Sequence, residues 1–547
     1  MKKLLFKYFA LIIISFGISI IIYNYIESFK PIKTEKDILT SQEKTEKKLL
    51  KKTNYTVDNP NIILNPYGNS PLTALIVFET KDLTTATITI KGEKDITHTF
   101  MPAKVHILPI YGLYPNKDNK IIIEVSGKTK EITIKTDALP DDFPKVNNLI
   151  SDSDEDFYFT SFENSKYTAA FDSNGNVRWY TAGDYMWDIH RLNNGHILIG
   201  SDKSIASKCS AGLIEMDLLG KIYFEYLIPG GYHHDVYEMP NGNFLALSKK
   251  SYNNSIIEID RNTGNIVKEV NLNKLFKTKT KTNSLTYDSS TNSILITLND
   301  MIANIDYSSL NINYIIGNDL TDNLKKYAFS GNKYPSKPTS IDVIDGKIII
   351  STLKNNERYI YKYIIDYSNR SFELIDKIKI GEANNINIYN ISNDKYLVSN
   401  GNKIIKINDD FKLELDDKIY NSEKLTLYAN DIYTKGKGQR LGSLGKSKII
   451  KSHFILKTYK SDKIVKKYNI NLYKDVLGLK VSGSFKEKDK VEIILDNFLD
   501  KKTYTLQTNN SKISSRYINE DRIHGKYYIY IKINGKIYKL YKYVNFH

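Results

Sequence analysis

Cysteine and tryptophan are rare in this chain, and no histidine occurs between Asp235 and Ser452. The single cysteine, Cys209, excludes an internal disulfide in a chain of 547 residues. The nine histidines and this cysteine show no zinc-ligand spacing, and no acidic loop has the spacing of an EF-hand. The sequence therefore predicts neither a metal ion nor a cofactor.

Negative charge is in deficit, because 78 lysines and arginines outnumber 62 aspartates and glutamates, for a formal net charge of +16. The basic residues are spread along the whole chain rather than gathered in one segment. Composition therefore accounts for them as well as a polyanion-binding face does. We expect no nucleic-acid partner.

Long apolar runs are also missing, with one exception at the amino terminus. Residues 8–26 are nearly all apolar and long enough to span a bilayer as a helix. Lys2, Lys3 and Lys7 precede the run, which by the positive-inside rule keeps the amino terminus in the cytoplasm. Because no Ala-x-Ala cleavage site follows, residues 1–27 are predicted to be an uncleaved signal-anchor, with a removed signal peptide as the alternative. The body is then expected outside the cytoplasm, at the cell surface or in the periplasm.

Composition divides the rest of the chain into four parts. Residues 28–56 are rich in Lys, Glu and Thr and are predicted to be a flexible charged stalk. Residues 57–139 alternate apolar and polar positions, as the strands of a small amino-terminal β-sandwich do. Residues 144–475 carry repeats, and residues 476–547 form a further strand-rich region. The sequence allows this last region either to complete the repeat architecture or to form a sandwich of its own.

One phrase recurs six times between Asp172 and Asn408. It consists of an apolar strand, an Asp or Asn with a turn, and a second strand, as in AAFDSNGNVRWY and IIEIDRNTGNIVKEV. The marker positions are Asp172, Asp217, Asp260, Asp306, Asp366 and Asn408. Their spacing of about 40 to 60 residues suits four short strands with loops, the repeat length of β-propeller blades. Six copies predict an all-β fold with a six-bladed β-propeller.

A second phrase, offset from the first, has the same period. It reads NNGHILIG at Asn193, PNGNFLAL at Pro240 and DGKIIIS at Asp345. Each copy predicts a tight turn that leads into a buried strand, since Gly and Asn accept the positive φ of hairpin turns. An unclosed β-solenoid is the alternative, but a closed ring protects sheet edges better.

Three segments resemble a known family. NPYGNSPLTALIVF from Asn65 and HILPIYGLYP from His106 are similar to the amino-terminal domain of bacterial arylsulfate sulfotransferases. GGYHHDVYEMPNGNFLAL from Gly230 resembles the β-propeller of the same family. The resemblance covers residues 57–445 and implies an amino-terminal β domain followed by a catalytic propeller.

The resemblance implies a reaction that uses no nucleotide sulfate donor. A sulfuryl group moves from an aryl sulfate to a phenol through a transiently sulfated histidine. This chemistry needs a neutral imidazole facing the sulfur, cationic or hydrogen-bonding groups for the sulfonate oxygens, and a proton for the leaving phenolate. The implied partners are therefore a small aryl sulfate, a phenol acceptor, and the membrane through the amino-terminal helix.

His234 matches an active-site histidine of the family and is the predicted catalytic residue. It begins the strand that leads to the turn at Pro240. His233 is its neighbour, and consecutive strand residues point to opposite faces, so the sequence alone leaves open which ring faces the channel. A structural histidine bonded to a loop carbonyl is the alternative.

Other family positions are changed. In KTNSLTYDSSTNSILI, Lys281 stands where the family has a histidine, while Asn283 is retained. Both are predicted to bind the substrate sulfonate, by charge and by hydrogen bonding. The family's arginine falls near Asn299, and its nucleophilic histidine falls within residues 337–339, where no histidine stands. The arginine expected to bind the sulfonate and the histidine expected to attack sulfur are therefore both missing.

Two functions follow. The first is an aryl-sulfate sulfotransferase of altered chemistry, with His234 or another residue as nucleophile. The second is a catalytically inactive propeller that binds sulfated, phenolic or cell-wall ligands at the surface. Family resemblance favours the first, and the missing histidine and arginine favour the second, since a fold alone does not determine activity.

Overall fold

In the described part of the chain, the computed structural model is all-β apart from four short helices. The described residues are 38–49, 54–148, 157–162, 165–182, 185–201, 204–206, 209–249, 254–382, 386–392, 395–400, 403–408, 410–418, 425–430, 455–458, 463–474, 479–496, 501–508, 514–518 and 525–546. The chain divides into two compact units. Unit 1 comprises Met1–Ser41, Lys203–Ser207 and Lys451–His547, and unit 2 comprises Gln42–Asp202 and Lys208–Ile450.

A five-stranded antiparallel sheet forms the first part of unit 2. Its strands are β1 (Asn61–Leu64), β2 (Ala74–Ile90), β3 (Ile96–Ile110), β4 (Asp118–Val125) and β5 (Lys128–Lys135). The order is β1-β2-β4-β5, with β3 along the opposite edge of β2. Register shifts interrupt β2 on either side of Thr84, and its two halves pair with β1 and β4 respectively. Residues 57–139 therefore form a β domain in which the two halves of the long strand β2 have different partners, and its arrangement as a sandwich stays a prediction.

The repeat region follows, from residue 157 to residue 430. Its strands are β6 (Phe157–Phe162), β7 (Tyr167–Phe171), β8 (Val177–Ala182), β9 (Met186–Arg191), β10 (Ile197–Gly200), β11 (Ser204–Ala206), β12 (Cys209–Met216), β13 (Ile222–Glu238), β14 (Phe244–Ser248), β15 (Ser255–Ile259), β16 (Ile266–Asn271), β17 (Leu285–Asp288), β18 (Ser293–Leu298), β19 (Met301–Asp306), β20 (Ile312–Gly317), β21 (Ile341–Ile344), β22 (Lys347–Lys354), β23 (Glu357–Asp366), β24 (Ser371–Gly381), β25 (Ile386–Ser392), β26 (Lys395–Asn400), β27 (Lys403–Ile407), β28 (Leu413–Lys418) and β29 (Leu425–Asn430). Two short helices, α2 (Leu272–Phe276) and α3 (Asp322–Lys325), connect repeats.

Strand β13 belongs to two repeats. Its first half pairs with β12 and its second half with β14, so the sheets of two repeats join into one. Between the halves, Gly230 and Gly231 have φ angles of 79° and 85°. Glycine adopts such angles without steric cost, which lets the chain change sheet direction there. The second half of β13 is thus the first strand of its own repeat.

The first strands of successive repeats contact one another in a closed circle. In chain order they are β9, the second half of β13, β17, β21, β25 and β29; each contacts the next, and β29 contacts β9. Strand β29 also pairs with β6, so strands from both ends of the repeat region share the sheet β29-β6-β7-β8. This arrangement is consistent with a β-propeller. We call the space that the first strands enclose the central channel.

The six marker residues lie at equivalent turns, between the third and fourth strands of successive repeats. Each marker side chain accepts a hydrogen bond from a backbone N–H two to four residues further on. Asp and Asn favour such turns because their short side-chain oxygen reaches the local backbone. The predicted repeating unit is therefore confirmed.

Unit 1 holds β11, which lies within the repeat region in sequence, and also the carboxyl-terminal elements. They are α4 (Lys463–Tyr468), β30 (Ile455–Thr458), β31 (Asn471–Lys474), β32 (Leu479–Gly483), β33 (Val491–Asp496), β34 (Lys501–Leu506), β35 (Ser514–Ile518), β36 (Gly525–Ile533) and β37 (Lys536–Phe546). The strands form two sheets, β30-β31-β32-β35 and β34-β33-β36-β37, around an apolar core that includes Leu479 and Ile493. The sequence predicts repeats up to residue 475, whereas β30 and β31 pair into a carboxyl-terminal sheet. Short alternating strands look alike in both regions, which explains the difference.

Helix α1 (Ile38–Leu49) belongs to unit 2 from Gln42 onward, and this part contacts the repeat region and the five-stranded sheet through polar side chains. The Gln42 side chain donates to the Ile222 carbonyl (2.9 Å) and accepts from the Ile222 N–H (2.7 Å). Glu46 forms an ion pair with Lys221 (2.5 Å) and accepts from the Tyr67 hydroxyl (3.0 Å). The Lys221 side chain is 1% exposed, so this ion pair is buried. The prediction of a flexible stalk over residues 28–56 does not hold for this helix, because its docking surface is polar and leaves no apolar stripe in the sequence.

The predicted membrane anchor at residues 1–27 lies outside the described residues. From residue 38 onward, where description begins, no helix is both long and apolar enough to cross a membrane. The longest of these helices, α1, has 12 residues, which is short of the length a span requires.

Glu46→Ala is expected to lower the free energy of unfolding by about 3 kcal/mol, because it leaves the buried Lys221 ammonium without its carboxylate. Urea unfolding of variant and wild type measures the loss. Lys48→Ala, at an exposed position of the same helix, should change stability by less than about 0.5 kcal/mol. Equal stability of Glu46→Ala and wild type would show that the ion pair does not hold the helix.

Candidate functional site

His233, His234 and Asp235 lie where the second half of β13 begins its new sheet. His234 has a φ of 64°, in the left-handed region, and the pairing with β14 is interrupted between Tyr232 and Val236. Because the strand is kinked, the two histidine side chains do not alternate: their Nδ1 atoms lie 2.8 Å apart. The expectation that the rings face opposite ways is therefore wrong.

The two histidines differ in exposure. His233 is 5% exposed, and burial lowers its pKa to about 4, so its ring is neutral near pH 7. His234 is partly exposed. A hydrogen bond between two Nδ1 atoms needs one proton, so one ring donates and the other accepts.

Asp235 connects its strand to β17, the first strand of the next repeat. Its carboxylate accepts from the Ser284 hydroxyl (2.7 Å) and from the Leu285 N–H (2.9 Å). The next two pairs of first strands have the same kind of link, since Ser284 accepts from the Ile341 N–H of β21 (3.2 Å). Ser340 makes the same link to β25 (3.1 Å). Asp235, Ser284 and Ser340 therefore occupy equivalent positions on neighbouring first strands.

We call Asp235, Ser284 and Ser340 the linking residues. His234, Asn283 and Thr339 each stand one residue before a linking residue, so they occupy the same height along the channel, which we call one level. Asn283 is partly exposed, and its backbone N–H donates to the Thr297 hydroxyl (3.3 Å). Within the described ranges its side-chain amide has no hydrogen-bond partner. The structure thus places a histidine and an amide at the same level on adjacent strands.

Lys281 lies in the loop before β17, outside that level. Its side chain is exposed. Its backbone N–H donates to Asn299 Oδ1 (2.8 Å), and its carbonyl accepts from the Asn299 N–H (2.9 Å). Joint contact of Lys281, Asn283 and His234 with one ligand stays a prediction.

The positions where the resemblance implies arginine and histidine make loop contacts instead. Asn299 holds the backbone of Lys281. Lys337, in the segment expected to carry the nucleophile, donates its N–H to Asp300 (2.9 Å), and its carbonyl accepts from Arg358 (2.5 Å). Arg358 is a cation of 4% exposure beside that segment. Sequence reasoning missed it because it stands on the third strand of its repeat rather than on a first strand.

A second level of side chains lies two residues further along the first strands than the linking residues. By the same strand registers its members are His190, Tyr237, Thr286, Asp342 and Tyr389. Asp342 accepts from the Thr286 hydroxyl (3.3 Å) and from the Val343 N–H (2.8 Å). Burial, with a contribution from the negative charge of Asp235, raises the pKa of Asp342 to about 6. Burial also raises the pKa of Asp235 to about 6, against the hydrogen bonds that it accepts.

This second level carries no motif in the sequence. An alignment of the repeats on their turn phrases places Tyr237, Thr286 and Asp342 in one column. Such an alignment could have identified these residues from the sequence. Among the side chains that the structure describes, no group of three or more His, Cys, Asp or Glu residues is arranged to hold a metal ion.

Solved structures show a distant likeness. A putative 6-phosphogluconolactonase from Bacteroides fragilis aligns with 64% of this chain and 99% of its own, at 13% identity and a TM-score of 0.34. AztD from Citrobacter koseri aligns with 65% of this chain and 100% of its own, at 13% identity and a TM-score of 0.27. TM-scores this low carry no argument about fold or function.

Two named relatives match by sequence. Arylsulfate sulfotransferase AssT of Lelliottia amnigena is 22% identical over 291 residues, which are 39% of this chain and 48% of that protein. Arylsulfate sulfotransferase AssT of Escherichia coli O6:H1 (strain CFT073) is 22% identical over 295 residues, which are 40% of this chain and 49% of that protein. The chain spans about half the length of these curated relatives.

Two family models match adjoining parts of the chain. The arylsulfotransferase Ig-like domain matches residues 61–138, which form the five-stranded sheet. The arylsulfotransferase (ASST) model matches residues 128–395, which contain both channel levels on β13, β17 and β21. With the repeat region and its histidine pair, these matches show that the protein belongs to the arylsulfotransferase family.

Proposed function

We propose that this protein is an aryl-sulfate sulfotransferase with an altered active site, built on a six-bladed β-propeller. In this proposal His234 takes a sulfuryl group from an aryl sulfate and passes it to a phenol. The observation that carries the proposal is the 2.8 Å approach of the Nδ1 atoms of His234 and His233. That contact orients one imidazole by means of another that burial keeps neutral.

Six blades are supported by the circle of first strands and by the pairing of β29 with β6. In this arrangement the last strand of the repeat region supplies the first strand of the opening repeat. Closure of this kind protects sheet edges, which is why propellers use it. The channel on the axis then collects side chains from several blades, as a site for a small aromatic ligand requires.

The proton between the two histidines decides which nitrogen attacks. In this proposal His234 carries a proton on Nδ1 and donates it to Nδ1 of neutral His233, which is one of the two directions that the contact allows. The lone pair of His234 then lies on Nε2, the atom turned away from His233. Nε2 bonds to sulfur while the bond from sulfur to the aryl oxygen breaks, and the aryl oxygen keeps the electron pair. In the second half, the acceptor phenol oxygen bonds to sulfur and gives up its proton, which replaces the one that the released phenolate takes up. The N–S bond breaks and its electron pair returns to Nε2, which restores His234.

The sulfonate oxygens are assigned to Asn283 and Lys281. The Asn283 amide supplies two N–H donors at the level of His234, and Lys281 supplies a positive point charge from the loop. Neither reproduces the bidentate grip of an arginine, which binds planar oxygen pairs with two parallel bonds. We therefore expect weaker donor binding than an arginine clamp gives.

A second candidate function is a non-catalytic propeller that binds sulfated, phenolic or cell-wall ligands. The observation that favours it is that Asn299 and Lys337, where the resemblance implies arginine and the nucleophile segment, are engaged in loop contacts. Under this alternative the channel binds an aryl sulfate without breaking it. His233 and His234 would then have only a structural role, at the kink in β13.

Release of 4-nitrophenolate from 4-nitrophenyl sulfate, with a phenol acceptor present, distinguishes the two functions. The wild-type chain is expected to turn over, and His234→Ala is expected to fall to the uncatalysed rate because the attacking nitrogen is gone. His98→Ala, a partly exposed histidine of the five-stranded sheet, is the matched control and should keep full activity. Incubation with donor but without acceptor should leave an acid-labile sulfuryl group on the peptide containing His234. Binding of aryl sulfates without turnover, across several donors, would favour the second function.

His233→Phe is expected to lower kcat at least about 10-fold, because the His234 proton loses its acceptor.

The same variant tests the burial of His233. Its folded pKa of about 4 lies below the unfolded value of about 6.5, so the unfolded state takes up the proton first as pH falls. Wild type should therefore lose up to about 3 kcal/mol of unfolding free energy between pH 7 and pH 4 through this residue. Urea unfolding at both pH values should show a smaller loss in His233→Phe, and equal losses would contradict the assignment.

We also propose that residues 8–26 anchor the protein in a membrane, with the body outside the cytoplasm. The support is the apolar run and the lysines before it. In cell fractions the full-length chain is expected in the membrane pellet after carbonate washing and to be cut by protease added from outside the cytoplasmic membrane. Recovery in the soluble cytoplasmic fraction would contradict this localisation.

A further inference from the structure

Asp342 has a carboxyl oxygen that the fold does not use. Its Oδ1 accepts both hydrogen bonds that the residue makes, from Thr286 and Val343. Its Oδ2 has no hydrogen-bond partner in the described portion of unit 2. The residue is partly exposed although first strands surround it. Oδ2 is therefore an acidic oxygen available to a molecule in the central channel.

Asp235, a second described carboxyl on a first strand, differs in this respect. Its Oδ2 accepts from Ser284 and Leu285, and its Oδ1 accepts from the Val236 N–H (2.9 Å). Oδ2 therefore links β13 to the next first strand, Oδ1 binds its own strand, and both oxygens are occupied. Of the two carboxyls, Asp342 is the one with an oxygen left for a ligand.

The charges around Asp342 favour its protonated form. Asp235 lies close enough for its negative charge to raise the pKa of Asp342, and Tyr237 on the same strand as Asp235 interacts with the Asp342 charge in turn. The other ionisable residues on strands packed against β21 are Tyr287, Asp288, Lys347, Lys354 and Tyr389. The two lysines stand at the ends of β22, away from its middle. With burial dominant, the pKa of about 6 keeps a useful fraction of the acid form near neutral pH.

We propose that Asp342 is the acid–base residue of the sulfuryl transfer, protonating the leaving phenolate and then deprotonating the acceptor phenol. This inference rests on the proposed function and deepens it. Asp342 stands two residues along the strands from the level of the linking residues, about 7 Å at the usual rise per residue. A donor whose sulfur meets His234 from within the channel would direct its aryl oxygen toward that second level.

The proton balance closes over one cycle. As His234 Nε2 bonds to sulfur, the aryl oxygen leaves with the electron pair and takes the proton of Asp342, which becomes a carboxylate. The acceptor phenol then gives its proton to that carboxylate while its oxygen bonds to sulfur and the N–S bond breaks. Asp342 is again protonated and His234 again neutral, so no external acid, base or redox partner is consumed.

The experiment compares two donors with unlike leaving groups, 4-nitrophenyl sulfate and phenyl sulfate, in wild type and Asp342→Asn. Phenol is the weaker acid and needs a proton as it leaves, whereas 4-nitrophenolate leaves readily without one. Asp342→Asn is expected to lower kcat/KM for phenyl sulfate about 100-fold or more and for 4-nitrophenyl sulfate less than about 10-fold. Asp342→Glu should restore part of the loss. Asp376→Asn, an exposed position of β24, is the matched control and should behave as wild type.

The pH profile gives a second readout that a merely structural role would not change. Because the acid must be protonated, wild-type kcat/KM for phenyl sulfate should fall as pH rises through about 6. This decline should disappear in Asp342→Asn.

Failure of the Asp342 proposal and failure of the proposed function give different results. Equal losses on both donors in a folded Asp342→Asn variant, with the pH decline unchanged, would overturn the role of Asp342 and leave the sulfotransferase proposal standing. Wild-type protein inert toward both donors would overturn the proposed function, and this inference would fall with it. If circular dichroism shows that Asp342→Asn is unfolded, Asp342→Glu is tested in its place. A ratio of kcat/KM for the two donors equal to that of wild type, together with an unchanged pH decline, would then reject the proposal.

Discussion

Side-chain hydrogen bonds between neighbouring first strands position β13, β17, β21 and β25 relative to one another. The first strands of separate sheets share no backbone ladder, so Asp235, Ser284 and Ser340 join them instead, each accepting from the backbone of the next strand. A buried polar group that loses its partner costs about 1–3 kcal/mol. Slippage of one strand would break such a bond and misplace its neighbours. The levels at which His234 and Asp342 stand are consequences of these links.

Equivalent positions on the first strands can carry different side chains without a change in the fold. At one level the side chains are the imidazole of His234, the amide of Asn283 and the hydroxyl of Thr339, all next to residues that hold the ring. A substitution of His234 or Asn283 leaves the linking bonds intact, whereas the Thr339 hydroxyl itself accepts from the Ile386 N–H of β25. The chain can therefore keep a family fold while residues 337–339 hold no histidine.

The sequence predicted the repeating unit well because its signals are local. An Asp or Asn that accepts from the backbone two to four residues on leaves a mark within a few letters, and hydrophobic alternation marks the flanking strands. The long-range features were not predictable in this way. Docking of α1 depends on Gln42 and Glu46 meeting polar groups some 180 residues away in sequence, as in the bond from Gln42 to Ile222. The orientation of His233 and His234 depends on one positive φ, which no rule of strand alternation contains.

The pairing of β29 with β6 also governs how the protein is made. Most strands of the repeat region pair with a neighbour in sequence, but β6 has its β29 partner at the far end of that region. Closing so long a loop is entropically costly, and topologies rich in such contacts fold slowly. Until residues 425–430 have emerged, one edge of β6 is an open template for pairing with another chain. The longer synthesis of the repeat region takes, the longer this edge of β6 is open to pairing with another chain.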